Sequence, residues 1–213
     1  MEDLSGIRSD YLKGALTEQD VLQNPYDQFG LWMGDALQSA VPEPTAMALA
    51  TVDAAGMPSM RMVLLKGFDA TGFQFFTNYE SRKASDLAAN PKSSLLFFWK
   101  EMERQVRIEG TMAKLSESES DLYFASRPRE SQIGAWVSPQ SHVIDHRAYL
   151  DSRLTEVELE FLGKEVVRPP HWGGYCLLPS YFEFWQGRLS RLHDRISYVT
   201  DENGLWTIHR LAP

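Results

Sequence analysis

Residues 46–77 read AMALATVDAAGMPSMRMVLLKGFDATGFQFFT, which is three apolar runs separated by short polar turns. The runs Ala46–Val52, Ser59–Phe68 and Phe73–Thr77 have the length and composition of β-strands. The segments DAAG and DATG, which follow the first two runs, are turn sequences that end in glycine. Strands joined by such short turns must run antiparallel, so the sequence predicts consecutive hairpins.

The same alternation of strand and turn continues to the carboxyl end. Further strands are predicted at Ser94–Trp99, Arg104–Leu115, Trp172–Leu178, Tyr181–Gln186, Arg195–Thr200 and Trp206–Leu211. Helices are predicted from Pro25 to about Ala40, from Ser81 to Asn90, from Ser116, from Pro128, and over Asp145–Leu162. Hairpins with helices inserted between them predict an α+β, mainly β fold, which is an antiparallel barrel with helices packed around it.

Composition limits the classes of function. The net charge of −8 argues against nucleic-acid and anionic-membrane binding, so any anion site must be local. Cys176 is the only cysteine, which excludes an internal disulfide, and its apolar neighbours are typical of a buried thiol. The chain has no signal peptide and no run of about 20 apolar residues, which indicates a cytoplasmic protein. Without repeats or linkers, we predict one domain over residues 1–213, with a partly flexible arm at residues 1–20.

A first group of basic residues accompanies the opening strands. Arg61 and Lys66 lie on one predicted strand, and Thr77, Arg82 and Lys83 follow. Arg82 and Lys83 open a helix, where free backbone N–H groups and the positive end of the helix dipole attract an anion. Because side chains alternate along a strand, Arg61 and Lys66 point to opposite faces unless a bulge intervenes. The alternative interpretation is an exposed basic turn.

A second group consists of Tyr123, Arg127 and Ser131, which are spaced by four residues. Pro128 is suited to the first position of a helix, which leaves Arg127 near the cap and Ser131 in the first turn. Such a helix start is a second candidate anion site, suited to a phosphate. The alternative is a charged stripe on the surface.

The third group lies in WQGRLSRLHDR, residues 185–195. In an extended chain Arg191, His193 and Arg195 share one face, while Leu192 and Asp194 face the other way. Three donor side chains in a row cannot be buried without anionic partners. Together with the two anion sites, this face suggests two phosphorylated ligands that meet. The alternative is a solvated edge strand.

Common catalytic and nucleotide-binding motifs do not occur in the chain. There is no Walker A sequence, no Gly-x-Gly-x-x-Gly after a strand and no serine-hydrolase elbow. His142 and His146 are four residues apart but have no third candidate ligand nearby, so we predict no metal site.

Six ordered motifs carry a resemblance to a known family. They are RMVLLK (61–66), FTN with SRK (76–78 and 81–83), ERQV (103–106), SRPR with SQIGAW (126–129 and 131–136), FWQG with RLHDR (184–187 and 191–195), and RLAP (210–213). In these motifs the chain resembles the pyridoxine (pyridoxamine) 5′-phosphate oxidases, from about Arg8 to the last residue. The motifs are long and in order, which makes them jointly very specific.

The resemblance implies a flavin mononucleotide (FMN) split barrel that works as a homodimer, with FMN at the subunit interface. It also implies oxidation of pyridoxine or pyridoxamine 5′-phosphate to pyridoxal 5′-phosphate, with oxygen as second substrate and hydrogen peroxide as product. The alternatives are another split-barrel flavin reductase, a flavin-binding protein without catalysis, and a pyridoxal phosphate carrier without a flavin site.

The resemblance also implies roles for individual residues. The cofactor contacts it implies are Arg61, Met62, Val63, Leu64, Leu65, Lys66, Phe76, Thr77, Arg82, Lys83, Gln105, Gln140, Ser141, Trp185 and Arg195. The substrate contacts it implies are Arg8, Tyr11, Lys66, Tyr123, Arg127, Ser131, Arg191 and His193. Arg191 and His193 are the expected catalytic residues, over the pyridine ring, and we expect Arg195 beside the flavin ring.

Two positions depart from the family pattern. Phe76 stands where some members have tyrosine, so a contact there must use the backbone or the ring. The segment Arg188–Ser190 is more basic and more apolar than the short polar loop that the resemblance implies.

Overall fold

The computed structural model of the chain describes Gly6 and residues 11–213. Its helices are α1 (Pro25–Gln38), α2 (Arg82–Ala89), α3 (Glu117–Ser126), α4 (Arg129–Val137) and α5 (Ala148–Glu160). Its strands are β1 (Ala46–Val52), β2 (Pro58–Leu64), β3 (Gly67–Asp69), β4 (Gly72–Asn78), β5 (Lys92–Trp99), β6 (Arg104–Lys114), β7 (Trp172–Gln186), β8 (Asp194–Thr200) and β9 (Trp206–Arg210). Short 3-10 turns span Lys100–Met102 and Leu189–Arg191.

The strands of the described residues form one antiparallel sheet in the order β2-β1-β5-β6-β7-β4-β3, with β8 beside β7 and β9 beside β8. The edge strands β2 and β3 are consecutive in sequence. Between them the Leu65 N–H donates to the Thr45 carbonyl on the β1 side, and the Lys66 N–H donates to the Gln74 carbonyl on the β4 side. The chain thus joins both edges of the sheet, which therefore curls into a barrel. The predicted antiparallel barrel is confirmed.

This join corrects the prediction of one strand over Ser59–Phe68. The chain leaves β2 at Leu64 and starts β3 at Gly67. The alternation argument for Arg61 and Lys66 assumed one regular strand, so it does not hold across this break. Lys66 lies at the seam of the barrel, where the chain changes its strand partner.

The longest strand, β7, was predicted as two strands interrupted at Pro179. It is continuous because Pro179 lies opposite Gly110, where a bulge shifts the register of β6. On its other side β7 pairs with β4 only as far as Leu177, and with β8 only from Tyr181. The proline therefore interrupts no ladder, which is where a sheet tolerates this residue.

Aromatic side chains fill the barrel. Phe29 of α1 meets Phe73 and Phe97, with ring centroids 4.8 and 5.0 Å apart. These rings are completely buried, as are Phe182 and Phe184 of β7. Aromatic pairs at such distances contribute about 0.5–1.5 kcal/mol beyond their area of burial. The apolar face of α1 therefore covers the barrel.

Helices α1 and α3 begin where the sequence predicts, whereas α4 begins at Arg129 and α5 at Ala148, one and three residues after their predicted starts. Asn24 caps α1, with its side chain accepting from the Tyr26 N–H, and Pro25 is the first helical residue. Ser116 and Glu119 form both halves of the predicted capping box of α3. Helices α3, α4 and α5 pack in a second apolar cluster that includes Trp172 at the start of β7. This cluster sets α3 and α4 beside the barrel.

The single thiol lies where the composition predicts. Cys176 is buried, and burial raises its pKa to about 11, so it is not a nucleophile at neutral pH. In the described part of the chain, every helix is too short or too polar to cross a membrane.

Candidate active site

A cavity of about 450 Å³ lies between the barrel seam, β4 and helices α3 and α4. Half of the predicted ligand contacts line it. They are Met62, Val63, Leu64, Lys66, Phe76, Thr77, Lys83, Tyr123, Arg127, Ser131 and Gln140. Predicted contacts that are up to 78 positions apart in the chain thus share one pocket. It joins Lys66, Thr77 and Lys83 of the first basic group to the whole of the second group. We call it the seam cavity.

Lys83 is the most deeply buried cation of the seam cavity. Its Nζ donates to Thr77 Oγ1 and Ser81 Oγ at 3.0 Å and to Gln140 Oε1 at 2.7 Å. These partners are all neutral. Desolvation, together with nearby Arg61, lowers the pKa of Lys83 to about 8. A bound anion would supply the missing counter-charge, so the residues here fit a phosphate.

Helix α2 begins beside Lys83, as predicted. Its N-cap, Ser81, makes no capping hydrogen bond through its side chain, which leaves the first backbone N–H groups of the helix for another acceptor. Arg82 is exposed at this end and lies outside the wall of the seam cavity.

Arg61 is not a wall of the seam cavity either. Its guanidinium donates to Thr51 Oγ1 and Ser59 Oγ at 2.6 Å and forms an ion pair of 3.5 Å with Asp86. Asp86 is buried on α2, and its pKa is lowered because hydrogen bonds and Arg61 outweigh the desolvation of its carboxylate. Arg61 thus ties β2 to α2 behind Lys83.

Arg127 supplies a second cation, which is half-buried. Its guanidinium lies 4.6 Å from the ring centroid of Trp172, a cation–π contact. Burial lowers the pKa of Arg127, and its Nη1 atom is buried without a hydrogen-bond partner among the described residues. A buried donor without a partner is costly, and an anion in the cavity would satisfy it.

Three aromatic rings form the floor behind Arg127. Phe76 stacks on Tyr123 with ring centroids 3.8 Å apart and on Trp172 at 5.6 Å. The expectation that Phe76 acts through its ring is consistent with this stack. Sequence reasoning missed Trp172, although an aromatic residue opening a strand next to two glycines was a usable signal.

A second, smaller cavity of about 260 Å³ contains four of the remaining predicted residues. Gln105, Trp185, His193 and Arg195 line it, and we call it the tryptophan cavity. The two cavities share no lining residue among those described.

His193 is held in a defined state in the tryptophan cavity. Its Nδ1 accepts from the Arg188 N–H at 3.1 Å, and its ring lies 4.7 Å from that of Trp185. Desolvation, and then the charge of Arg191, lower the pKa of His193. A neutral ring that accepts at Nδ1 carries its proton on Nε2, which makes that atom a donor.

Arg195 is oriented by a buried carboxylate that sequence reasoning missed. Its Nε donates to Glu183 Oε1 at 2.7 Å, and its Nη1 donates to the Ala212 carbonyl at 2.9 Å. Glu183 also accepts from Arg107 and from the Tyr181 hydroxyl. Its pKa is lowered, because these donors outweigh the desolvation of its carboxylate. Among the residues that the structure describes, the Nη2 atom of Arg195 has no hydrogen-bond partner and is available to a ligand.

The prediction that Arg191, His193 and Arg195 form one strand face is wrong. Strand β8 begins only at Asp194, and Arg191 lies in a 3-10 turn with a positive φ of 61°. Arg191 is exposed and does not line the tryptophan cavity. Leu192 is also exposed and anchors nothing, whereas Asp194 accepts from the Leu16 N–H and from Arg210.

Three further predicted residues lie outside both cavities, and a fourth is not among the described residues. Leu65 points into the barrel core and is buried. Ser141 is exposed, with a φ of 71°, one residue after Gln140. Tyr11 meets the rings of Trp185 and His193 edge-on, at 5.6 and 5.5 Å. Arg8 falls outside the described residues.

The two cavities occupy opposite ends of β7. Thr77 in the seam cavity pairs with Gly173, and Gln105 in the tryptophan cavity pairs with Trp185. Gly173 and Trp185 are 12 residues apart, which corresponds to about 40 Å along an extended strand. One small ligand therefore cannot contact both cavities of the same chain.

One continuous outer face of the sheet connects the two ends. Directly paired residues place Met62, Ala48, Leu96, Arg107 and Glu183 in one row across β2, β1, β5, β6 and β7. Side chains opposite each other in a ladder point to the same side of the sheet. The seam end of this face is apolar and exposed, with Met62 64% accessible.

A parallel row completes the face at the tryptophan end. Phe98, Gln105, Trp185 and Arg195 are paired in succession across β5, β6, β7 and β8. Phe98 is 55% exposed. A chain rarely leaves such an apolar area uncovered, which is typical of a surface that contacts another protein.

Residues 33–161 match the family profile described as pyridoxamine 5′-phosphate oxidase, and residues 172–213 match the profile described as the pyridoxine 5′-phosphate oxidase C-terminal dimerisation region. The chain belongs to the pyridoxamine 5′-phosphate oxidase family. The second profile covers β7, β8 and β9 and supports a homodimer.

Full-length relatives carry the same assignment. A pyridoxine/pyridoxamine 5′-phosphate oxidase from Bordetella petrii is 55% identical over 210 residues, which covers 99% of each chain. Another from Burkholderia thailandensis is 56% identical over 215 residues and covers both chains completely. Like these members of the pyridoxamine 5′-phosphate oxidase family, the protein is an oxidoreductase.

Solved structures with this fold include flavin-related proteins. PhzG from Burkholderia lata, in complex with tetrahydrophenazine-1-carboxylic acid, has a TM-score of 0.87 and 32% identity, with 93% of this chain and 98% of that chain covered. An FMN-binding protein from Nostoc punctiforme has a TM-score of 0.72 and 16% identity, with 91% and 100% covered, and shows the fold alone. Membership of the pyridoxamine 5′-phosphate oxidase family supports a flavin cofactor.

Proposed function

We propose that the protein oxidises pyridoxine 5′-phosphate or pyridoxamine 5′-phosphate to pyridoxal 5′-phosphate, with FMN as cofactor and oxygen as second substrate. The observation that carries the proposal is the pair of cations in the seam cavity, the buried Lys83 and the half-buried Arg127. Lys83 has only neutral partners, and Arg127 has a buried Nη1 without a partner among the described residues. Two phosphorylated ligands, the cofactor and the substrate, would each supply one counter-charge.

Both substrates lose two electrons in the proposed reaction. The alcohol loses a hydride from C4′ and a proton from its hydroxyl, and oxygen takes up the two electrons and two protons to give hydrogen peroxide. The amine requires one water in addition and releases ammonia. FMN, when bound, supplies the hydride acceptor. The protein must hold C4′ against that acceptor, so much of its contribution is positioning.

Cofactor binding in this proposal begins at Lys83. Lys83, Thr77 and the start of α2 bind the FMN phosphate, with Arg82 and Arg61 adding positive charge at that end. The segment from Met62 to Lys66 forms the wall along which the cofactor extends, and Gln140 and Ser141 close it. Phe76 contributes its ring and backbone.

The ring end of FMN belongs, in our proposal, to Gln105, Trp185 and Arg195 of the second subunit. In an isologous dimer the same face meets itself, so the seam end of one subunit contacts the tryptophan end of the other. The exposed apolar side chains Met62 and Phe98 support this face as the interface. The free Nη2 of Arg195 is the donor we assign to the flavin ring, where it favours the negative charge that the hydride brings.

The substrate lies between the same two subunits. We assign its phosphate to Lys66, Tyr123, Arg127 and Ser131 of the seam cavity. Its pyridine ring then faces Arg191 and His193 of the second subunit, with Tyr11 from the amino-terminal arm at the rim. His193 acts as a donor through Nε2, because its Nδ1 is already used as an acceptor. It orients the substrate and is not assigned as a general base.

Oxygen consumption by the purified protein tests the proposal directly. We expect a yellow protein that releases FMN on denaturation and consumes oxygen with pyridoxine 5′-phosphate and pyridoxamine 5′-phosphate. Pyridoxine without its phosphate should be a poor substrate, because Arg127 then has no counter-charge. Tetrahydrophenazine-1-carboxylic acid, which has no phosphate, is a second control. A colourless protein that stays inactive after addition of FMN contradicts the proposal.

A further inference from the structure

Glu103 lies between the Lys100–Met102 turn and β6 and connects three parts of the molecule. Its backbone is left-handed, with a φ of 55° and a ψ of 37°. This conformation is unfavourable for residues that have a Cβ atom. It is also buried, with 9% of its surface accessible. A buried glutamate in this conformation is unusual and calls for a reason.

The reason is a set of hydrogen bonds on both its backbone and its side chain. The Glu103 carbonyl accepts from the Gly187 N–H at 2.8 Å and from Gln186 Nε2 at 3.2 Å, which attaches it to the end of β7. Its carboxylate Oε2 accepts from the N–H groups of Leu12 and Lys13, at 2.8 and 2.9 Å. One carboxylate oxygen thus fixes two successive residues of the amino-terminal arm to the barrel.

The residue before this attachment is Tyr11, which reaches the tryptophan cavity. Its ring meets Trp185 and His193 edge-on. Gly187 lies directly beneath the ring, since a Cβ atom on Gly187 would be 2.7 Å from the Tyr11 ring. The arm is therefore held in close contact with His193, which we assign to the pyridine ring of the substrate, and with Trp185, which we assign to the flavin ring.

Other contacts hold the arm further along the chain. The Leu16 N–H donates to Asp194 Oδ2 at 3.0 Å, and Arg210 pairs with Glu18 and donates to the Leu16 carbonyl. Closer to Tyr11, Lys13 Nζ donates to the Glu101 carbonyl at 2.7 Å and Arg188 Nη1 donates to the Gly14 carbonyl at 3.4 Å. None of these contacts involves the backbone N–H groups of residues 12 and 13. Among the described residues, the Glu103 side chain is the acceptor that restrains the backbone at residues 12 and 13.

We propose that Glu103 is a positioning residue that latches the amino-terminal arm, so that Tyr11 packs on Trp185 and His193 and closes the substrate end of the site. The statement about the substrate rests on the proposed function. The statement about the arm does not, because it concerns contacts within the chain itself. Glu103 acts through Tyr11 and touches neither the substrate nor the cofactor in this proposal.

The test compares Glu103→Gly with Glu103→Gln in the FMN-loaded protein. Glycine removes the carboxylate and suits the positive φ, so the backbone of this turn is relieved of strain and the fold should persist. Glutamine keeps an oxygen that can accept from the arm. Glu101→Gln is the matched control, because this neighbouring exposed carboxylate makes no side-chain hydrogen bond among the described residues.

Hydrogen exchange and NMR titration measure whether Glu103 holds the arm, and neither requires catalytic turnover. In Glu103→Gly the Leu12 and Lys13 amides should exchange roughly tenfold faster or more, since each loses a hydrogen bond to a charged acceptor. The pKa of His193 should rise toward its ordinary value, because Tyr11 no longer shields its ring. The amide exchange rates and the His193 pKa of Glu103→Gln should lie between those of Glu103→Gly and the unmodified protein. Those of Glu101→Gln should match the unmodified protein. Unchanged amide exchange or an unchanged His193 titration in Glu103→Gly overturns the latch.

Steady-state kinetics then test the substrate half of the inference. Glu103→Gly should raise the KM for pyridoxine 5′-phosphate several-fold while the FMN content and kcat stay close to those of the unmodified protein. Glu103→Gln should restore much of the KM. An unchanged KM in Glu103→Gly, with the arm demonstrably released, contradicts a positioning role. Inactivity of the unmodified protein would instead refute the proposed function and leave the exchange result standing.

Discussion

Lys83 is the residue whose protonation we expect to control cofactor binding. Desolvation and Arg61 lower its pKa to about 8 in the free protein, and a bound phosphate would raise it again. FMN affinity should therefore be constant up to about pH 8 and fall as the pH rises further, by up to about tenfold per pH unit. Titration of apoprotein with FMN from neutral to alkaline pH, followed by flavin fluorescence, measures this slope.

Lys83→Met is the matched variant for this prediction. It should bind FMN more weakly at neutral pH and lose the alkaline slope, because the titrating group is gone. An equal slope in both proteins would assign the pH dependence to another group.

Trp172 is a residue through which we expect the substrate phosphate to be recognised indirectly. It carries Arg127 on its face at 4.6 Å and stacks with Phe76. Trp172→Leu removes a cation–π contact of about 0.5–2 kcal/mol, so KM should rise roughly 2- to 30-fold. The measurement is KM for pyridoxine 5′-phosphate, with FMN content as the control for folding. An unchanged KM would mean that Arg127 holds its position without the tryptophan.

The positions of individual site residues were only partly predictable from the sequence. The motifs name Lys83 and Arg127, and the seam cavity brings these two residues together with Gln140. Arg191 was placed on a strand face by alternation, but the positive φ at Ser190 and Arg191 makes a turn of that segment. Alternation cannot detect such a turn, since neither residue is a glycine.

At the scale of elements, the bulge between β6 and β7 explains how Pro179 fits within a long strand. Gly110 lies opposite Pro179, and a Cβ atom there would be 2.1 Å from the Leu178 carbonyl oxygen. Gly110→Ala should lower the free energy of unfolding by about 1–3 kcal/mol or more, because backbone must move to relieve this overlap. Urea unfolding followed by tryptophan fluorescence measures the loss.

Gly34→Ala is the matched control for that substitution. Gly34 lies within α1, and nothing approaches a Cβ atom at this position within 4 Å. Alanine should therefore stabilise the protein by about 0.5–1 kcal/mol through helix propensity alone. Equal effects of the two substitutions, in sign and size, would show that the bulge imposes no steric demand.

Helix and strand ends that are set by neighbouring residues in the sequence were predictable. Ends that depend on tertiary contacts were not. Asn24-Pro25 and the Ser116–Glu119 capping box set the starts of α1 and α3, because their hydrogen bonds lie within four residues of each other. The end of β2 at Leu64 has no such local cause. It depends on Thr45 and Gln74, which become neighbours of the chain only when the barrel closes.

At the scale of the whole molecule, each chain carries two halves of a site on one sheet face. Thr77 and Gln105 pair with positions 12 residues apart on β7, so the halves are separated within a subunit. The motifs name residues of both halves but do not say how far apart the fold places them. That separation follows from the length of β7, which the predicted interruption at Pro179 concealed.

Subunit complementation tests the two-subunit site most directly. One chain carries Lys66→Ala and Arg127→Ala in the seam cavity, and the other carries Arg191→Ala and His193→Ala at the tryptophan end. Each variant alone should be nearly inactive. When the two are unfolded together and refolded with FMN at equal amounts, mixed dimers have one intact site, so about a quarter of the sites should be restored. A mixture as inactive as its separate components would contradict a site shared between subunits.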